Sequence, residues 1–166
     1  VIPDGVAFIG EKAFFGCSAL QKVMLPESVT ELHTSTFENC SSLLKAELRG
    51  VKTIGDRAFY NCAALSEISF SPSLKEIGAF AFSVNTSLEK VTLPPNTELV
   101  SDEAFSRCTS LKTVTVFSEA LKMSATALDG CTSLYAIYGS SAFSSEAAIG
   151  IRNATVSFDC VSEEKE

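Results

Sequence analysis

The chain has 166 residues, of which 46% are hydrophobic and 20% charged, and its net charge at pH 7 is −7. That length suits one domain, the apolar content excludes wholesale disorder, and no apolar run approaches the roughly 20 residues of a membrane span. The 20 acidic against 13 basic side chains argue against a nucleic-acid partner, because phosphate binding requires clustered cations. Two counts are unusual, namely six cysteines and 12 phenylalanines without a tryptophan.

The first residues already belong to a repeated pattern. The pair Ile2-Pro3 recurs one repeat later as Leu25-Pro26, so we expect the sequence to open on the end of a strand whose own coil lies outside it. The sequence begins without Met and without a signal peptide. We therefore interpret it as a mature or trimmed fragment.

A motif of about 23 residues repeats six times along residues 1–139, and a period of this length fits one coil of a solenoid. One position of the motif, here called the phenylalanine column, is occupied by Phe14, Phe37, Phe59, Phe82, Phe105 and Leu128. Three residues later comes a second position, the cysteine column, occupied by Cys17, Cys40, Cys62, Asn85, Cys108 and Cys131. We expect both columns to be structural, with equivalent side chains stacked from coil to coil.

Each repeat predicts the same elements in the same order. The segment Leu20-x-x-Val23-x-Leu25 predicts a strand in which Val23 and Leu25 share one face, because side chains alternate along a strand. A turn and an extended stretch follow, and in three repeats a glycine comes next, which suits a corner that needs a positive φ or a close backbone approach. A short helical turn is then predicted to carry the phenylalanine column inward.

These motifs resemble the BspA-like (Treponema-type) leucine-rich repeats over about residues 1–139. The family pattern, Cys/Asn-x-x-Leu-x-x-Ile/Val-x-Leu-Pro-x-x-Val-x-x-Ile-Gly-x-x-Ala-Phe, matches the run from Cys17 to Phe37, although His33 stands at the glycine position. The resemblance implies an α/β fold, a right-handed, horseshoe-like leucine-rich-repeat solenoid with short parallel strands, short helical turns and about 23 residues per coil. It also implies an extracellular or cell-surface location in bacteria and a link to adhesion.

The predicted organisation has three parts. An array of six coils beginning in mid-coil covers residues 1–139, and a C-terminal cap over 140–160 consists of a short helix at 141–150 and a closing strand at 154–158. A charged, disordered tail covers 161–166. Terminal repeats are expected to be atypical because they must cap the stack.

The six cysteines allow three interpretations. Consecutive cysteines lie a whole repeat or more apart, so they lack the close pairs of a zinc site. A disulfide between Cys17 and Cys40 or between Cys40 and Cys62 is within reach, but the parallel Cβ vectors of stacked coils give poor geometry. We favour buried thiols that pack as small apolar residues, with Cys160 outside the column, and we expect no metal and no cofactor.

The sequence contains no recognisable catalytic set. His33 is the only histidine, so neither a Ser-His-Asp nor a Cys-His arrangement can be assembled without it, and we expect it to be a solvated corner residue. Asn85 opens a glycosylation sequon, but its column position is expected to be buried. We predict that the protein is not an enzyme, and an enzyme would require a deep pocket around His33.

The outward side chains of the strands are predicted to line one continuous sheet face, which in repeat proteins usually binds ligands. The candidate binding residues are Lys22, Met24, Lys45, Glu47, Glu67, Lys90, Phe117, Tyr135 and Tyr138, and Ala136 is a further outward position. The alternative is that these are ordinary exposed strand residues. The predicted function is a monomeric, non-catalytic interaction module for a protein or glycan, without membrane insertion. The alternative is a structural spacer within a larger surface protein.

Overall fold

A computed structural model describes residues 2–139 and the backbone of residues 155–157. The long strands, which form one side of the stack, are β1 (Lys22–Leu25), β3 (Lys45–Leu48), β5 (Glu67–Ser69), β7 (Lys90–Leu93), β9 (Thr113–Val116) and β11 (Ala136–Gly139). The short strands, which form a second side, are β2 (Glu31–Leu32), β4 (Thr53–Ile54), β6 (Glu76–Ile77), β8 (Leu99–Val100) and β10 (Lys122–Met123). The protein is a solenoid of parallel strands, as the sequence predicts.

The strand pairings among β1 to β11 join equivalent positions of neighbouring coils. Lys22 lies opposite Lys45, and Lys90 lies opposite Thr113, so the register equals one repeat of the sequence. The short strands pair in the continuous order β2-β4-β6-β8-β10. Because each coil can bury its apolar side chains only against its neighbours, the repeat period sets the sheet register directly.

A turn segment, here called the arc, leads from each short strand to the next long strand and carries both columns. In the second coil, Ser35 and Asn39 have positive φ values of 58° and 62°. The N–H groups of Ser35, Phe37 and Asn39 donate to carbonyl oxygens of the next coil at 2.8–2.9 Å. These donors are turned away from their own coil, so they cannot form the i→i−4 bonds of an α-helix. The predicted short helical turns are therefore wrong, since the described residues contain turns and strands without a helix.

The phenylalanine column forms the centre of the core. Phe37, Phe59, Phe82 and Phe105 are at most 1% exposed, and neighbouring rings along the column stack with centroids 5.0–5.2 Å apart. Phe14, in the first coil, is only partly buried. Burying each of these rings stabilises the folded state by roughly 1.5–3 kcal/mol.

The cysteine column is a ladder of weak hydrogen bonds. The Sγ atoms of Cys40, Cys62, Cys108 and Cys131 each donate, at 3.1 Å, to a carbonyl oxygen in the phenylalanine column of the preceding coil. The described cysteines are free thiols, of which Cys17 is exposed, Cys131 is half-buried and the other three are buried. The expectation of burial is therefore wrong for Cys17, which lies in the first coil of the sequence, and only partly confirmed for Cys131.

Corner glycines allow neighbouring coils to approach closely. A Cβ atom at Gly55 would lie 2.7 Å from the carbonyl oxygen of Leu32, and one at Gly78 would lie 2.8 Å from the backbone nitrogen of Asp56. Neither glycine has a positive φ. Of the two reasons that the sequence suggested for glycine at this corner, close approach is the one that applies.

Near the C-terminus, β12 (Thr155–Ser157) pairs in parallel with β11 at Ala136–Tyr138. It lies within the closing strand predicted for 154–158. The helix predicted for 141–150, Cys160 and the tail predicted for 161–166 lie outside the described residues.

Candidate ligand-binding face

The outward side chains of the long strands form a surface that we call the strand face. Along β1 and β7 the burial alternates, so that Val23 and Leu25 point into the core while Lys22 and Met24 point outward. This alternation follows from the two-residue period of a strand. Where it holds, this alternation fixes which side chains a ligand could reach.

The structure places the nine candidate binding residues on this face or at its rim. Met24, Phe117 and Tyr135 are 42%, 39% and 56% exposed. The remaining exposed or half-buried candidates are Lys22, Lys45, Glu47, Glu67, Lys90 and Tyr138. The expected exposure of Ala136 is wrong, because this residue is only 7% exposed.

Charges on the strand face largely neutralise one another. The ammonium group of Lys45 lies 3.2 Å from a carboxylate oxygen of Glu67 and 3.4 Å from one of Glu47, and these two carboxylates raise the pKa of Lys45. The hydrogen bond from Lys112 to Glu89, at 2.9 Å, lowers the pKa of Glu89. Among the described residues, no carboxylate lies within ion-pair distance of Lys90.

The strand face is not one continuous sheet, and the prediction of continuity is wrong. The long strands form two separate ladders, β1-β3-β5 and β7-β9-β11-β12, with no pairing between β5 and β7. At the ends of the next pair of long strands, β7 and β9, the N–H groups of Lys112 and Phe117 donate to the carbonyl oxygens of Glu89 and Leu93, at 2.8 and 3.1 Å. No main-chain hydrogen bond of this kind joins the described residues of β5 and β7.

Local sequence departures account for the break. Pro94 stands one repeat before Phe117, and it lacks the N–H that would donate to the carbonyl oxygen of Phe70. Phe70 occupies the position of a strand leucine, and its ring packs edge-on against Phe82 with centroids 5.7 Å apart. Ile68, expected to point inward, is only partly buried.

The arcs of the same two coils remain closed. The N–H groups of Arg57, Phe59 and Asn61 donate to the next coil at 2.8–2.9 Å, and the rings of Phe59 and Phe82 keep the ordinary spacing of 5.1 Å. The break is therefore confined to the strand face.

Two adjoining hollows mark the break, and together we call them the strand-face groove. The first has a volume of about 510 Å³ and is polar, with Glu67, Glu89 and Lys90 in its lining. The second has a volume of about 390 Å³, and its apolar lining includes Phe70, Pro94, Pro95 and Phe117. Ile68, Ser69 and Thr92 line both hollows, so the groove runs continuously from a charged end to an apolar end.

The only histidine contacts one carboxylate and one aromatic ring. The Nδ1 atom of His33 lies 3.5 Å from a carboxylate oxygen of Glu31, and its ring packs against the exposed ring of Phe8 with centroids 5.0 Å apart. Within residues 2–139, no group of three or more metal-ligating side chains is placed to hold a metal ion. Nor does the described part of the chain contain a helix with the length and apolarity to cross a membrane.

A parallel solenoid with a coil of about 23 residues, stacked phenylalanines and a strand-bearing face defines the leucine-rich-repeat class. The model of the BspA type leucine rich repeat region matches residues 1–83 and 47–147, in six copies. The chain therefore belongs to the BspA-type leucine-rich-repeat family, an interaction fold.

Solved structures of bacterial leucine-rich-repeat proteins are similar to this chain. A leucine-rich repeat protein from Bacteroides ovatus ATCC 8483 is 31% identical with a TM-score of 0.76, over 83% of this chain and 36% of that protein. A leucine rich cell surface protein from Faecalibacterium prausnitzii A2-165 is 28% identical with a TM-score of 0.70, over 78% of this chain and 34% of that protein. The pneumococcal vaccine antigen PcpA is 28% identical with a TM-score of 0.66, over 75% of this chain and 32% of that protein.

The chain thus spans about a third of the length of these solved proteins. Comparison with curated proteins gives no match. The likeness supports the fold and the family, and one of these solved proteins is described as a cell surface protein.

Sequence reasoning did not identify the groove. It selected Glu67, Lys90 and Phe117 as separate exposed residues and passed over Phe70 and Pro94. One signal is present in the sequence, since Pro94 occupies a ladder position within the array. Its effect on the ladder becomes visible only when the coils are stacked.

Proposed function

We propose that this chain is a non-catalytic interaction module that acts at the bacterial cell surface or in secreted form and binds a protein or glycan through its strand face. The proposal combines the family, the cell-surface description of a similar solved protein and the composition of the strand face.

The proposal rests on the strand face, which carries four of the seven exposed large apolar side chains of the described residues, while the other three lie elsewhere. The four are Met24, Leu44, Phe117 and Tyr135, which are between 39% and 56% exposed and lie on or beside the long strands. Aromatic side chains and methionine are enriched at interfaces. Burying four such side chains against a partner would supply roughly 1.5–3 kcal/mol each before the costs of association.

The area of the face constrains this function. Six strands at about 4.8 Å spacing and about 20 Å width give roughly 600 Å² of flat surface, whereas a standard interface buries about 800 Å² per partner. Binding through this surface alone would therefore be weak, or would be strengthened by edges, by multivalency or by further coils.

The test measures binding of the purified protein to immobilised fibronectin, to collagen and to a mammalian glycan array. We expect a dissociation constant in the micromolar range, and about a tenfold weaker affinity when Met24 and Tyr135 are both changed to Ser. Phe15→Ser is the matched control, because Phe15 is 48% exposed but lies in an arc, and it should leave binding unchanged.

If the protein binds none of these probes, the interaction function is contradicted, and the alternative of a structural spacer is favoured. Equal loss of binding in the Phe15 control would place the contact surface away from the strand face.

A further inference from the structure

The strand-face groove exposes main-chain groups that a regular ladder would satisfy. Where β9 pairs with β7, its N–H groups donate to carbonyl oxygens of the preceding coil. If β7 paired with β5 in the same way, the N–H groups of Lys90 and Thr92 would donate toward carbonyl oxygens of β5. These bonds are not formed between the described residues of β5 and β7. Unpaired strand edges of this kind are the usual template for the addition of an extended chain.

The two ends of the groove differ in chemistry. Phe70, Pro94, Pro95 and Phe117 line an apolar hollow whose chemistry suits an aliphatic or proline side chain. At the polar end Glu89 is engaged with Lys112, and the other lining carboxylate, Glu67, is engaged with Lys45. Lys90 remains as the cation that a ligand could neutralise.

We propose that an extended polypeptide segment of a partner protein binds in the strand-face groove. Its main chain would pair with the open groups of β5 and β7, while an aliphatic or proline side chain enters the apolar hollow and an acidic side chain meets Lys90. The two anchor residues would lie about four positions apart, the separation of Lys90 and Pro94 along the neighbouring strand. This inference deepens the proposed function and rests on it.

A polypeptide fits the groove better than a glycan does. The open donors alternate along β7 with the two-residue period of an extended chain, which a sugar does not reproduce. Of the residues that line the apolar hollow, Phe70 and Phe117 are aromatic, and the Phe70 ring packs edge-on against Phe82, so a sugar would find one ring free for stacking.

The test selects binders from a phage-displayed library of random 12-residue peptides on the purified protein. Synthetic peptides of the enriched sequences are then titrated by calorimetry. We expect micromolar binders that combine an acidic residue with an aliphatic or proline residue. Methylation of alternate peptide nitrogens should weaken binding about tenfold or more, because it removes main-chain donors.

Matched variants locate the site. Ser69 and Thr115 occupy equivalent outward positions, one in the groove and one in the paired ladder. Ser69→Trp should weaken peptide binding about tenfold or more by filling the groove, whereas Thr115→Trp should leave it within about twofold. Thermal unfolding confirms that both variants fold, and Thr92→Arg replaces Ser69→Trp if that variant is unfolded.

Three outcomes would overturn the peptide assignment, and they are separable from the proposed function. If no sequence is enriched, or if only glycans bind in the groove, an extended peptide is not the ligand. If Thr115→Trp abolishes binding and Ser69→Trp does not, the strand face still binds but the groove is not the site. If fibronectin, collagen and the glycan array also fail to bind, the proposed function fails with it.

Discussion

Val84 adopts a backbone conformation that β-branched residues rarely accept. Its φ is 65°, in the left-handed region that costs roughly 1–2 kcal/mol for an ordinary L-residue. The equivalent positions in other coils are occupied mainly by residues suited to this region, Gly16, Asn39, Asn61 and Gly130. The arc imposes this conformation because the Val84 N–H must reach the carbonyl oxygen of Ser106 at 2.9 Å.

We expect Val84→Asn to raise the free energy of unfolding by about 1 kcal/mol, measured by urea denaturation. Asparagine tolerates a positive φ, and it would extend the side-chain ladder in which Asn61 donates to Asn39 at 2.8 Å. Val84→Thr keeps the β-branch and should give no such gain. An equal effect in both variants would show that backbone strain at Val84 is not the cause.

Glu38 carries the best-connected carboxylate among the described side chains of the arcs. It is 7% exposed and accepts two hydrogen bonds from the Arg57 guanidinium, at 2.9 and 3.2 Å, and one from Ser35 at 2.6 Å. Arg57 also covers the Tyr60 ring at 4.0 Å. The hydrogen bonds with Arg57, more than that with Ser35, hold the pKa of Glu38 below its ordinary value despite the opposing effect of burial.

The lowered pKa makes stability dependent on pH. A carboxyl whose pKa is lower in the folded state stabilises the protein above its unfolded pKa of about 4.3, and this contribution is lost as pH falls through the folded value. We expect urea denaturation at pH 7 and pH 3 to show a smaller acid-induced loss for Arg57→Gln than for the wild type.

Lys75→Gln is the matched control for this prediction. Lys75 and Glu98 form an ion pair 3.0 Å long with both side chains more than half exposed, and exposed pairs contribute only about 0–1 kcal/mol. The control should follow the wild-type pH dependence. If Arg57→Gln also follows the wild-type pH dependence, the pair of Glu38 and Arg57 does not govern acid stability.

At the scale of the elements, the corner between short strand and arc determines how closely coils stack. Gly55 sits directly against the backbone of the preceding coil, whereas a Cβ at Gly10 would meet only an atom of the Phe8 side chain, at 3.6 Å. His33 occupies the equivalent corner one coil earlier. The requirement for glycine therefore depends on the individual coil.

We expect Gly55→Ala to lower the free energy of unfolding by about 1–3 kcal/mol, because its methyl group collides with rigid backbone. Gly10→Ala should change stability by less than about 0.5 kcal/mol. The midpoints of thermal unfolding measure both effects. Equal destabilisation would show that contact between coils does not set the cost.

The element scale also shows what the sequence could and could not predict. The period located the phenylalanine column, the strand core positions and the parallel register, because in a stacked repeat equivalent residues must meet. It could not predict the turn conformation of the arcs, which follows from positive φ values at residues as different as Ser35 and Phe80. Nor could it predict the groove, since an absent N–H at Pro94 acts only through its partner in another coil.

At the scale of the whole molecule, three sets of contacts connect each coil to the next, through the long strands, the short strands and the arcs. Across the interface between the coils of Phe59 and Phe82, the short strands and arcs remain paired while the long strands do not. Such a stack can expose unpaired main-chain groups at one step without losing its order, because the other two sides hold the coils in place. The proposed binding site depends on this arrangement.

Amide hydrogen exchange followed by NMR tests this account most directly, because protection reports the opening of individual hydrogen bonds. We predict that the amides of Lys90 and Thr92 exchange at least about 100-fold faster than those of Thr113 and Thr115. The amide of Phe59, bonded to the next coil at 2.8 Å, should remain as protected as that of Phe105. Equal protection of β7 and β9 would show that the strand face is continuous and would contradict the account.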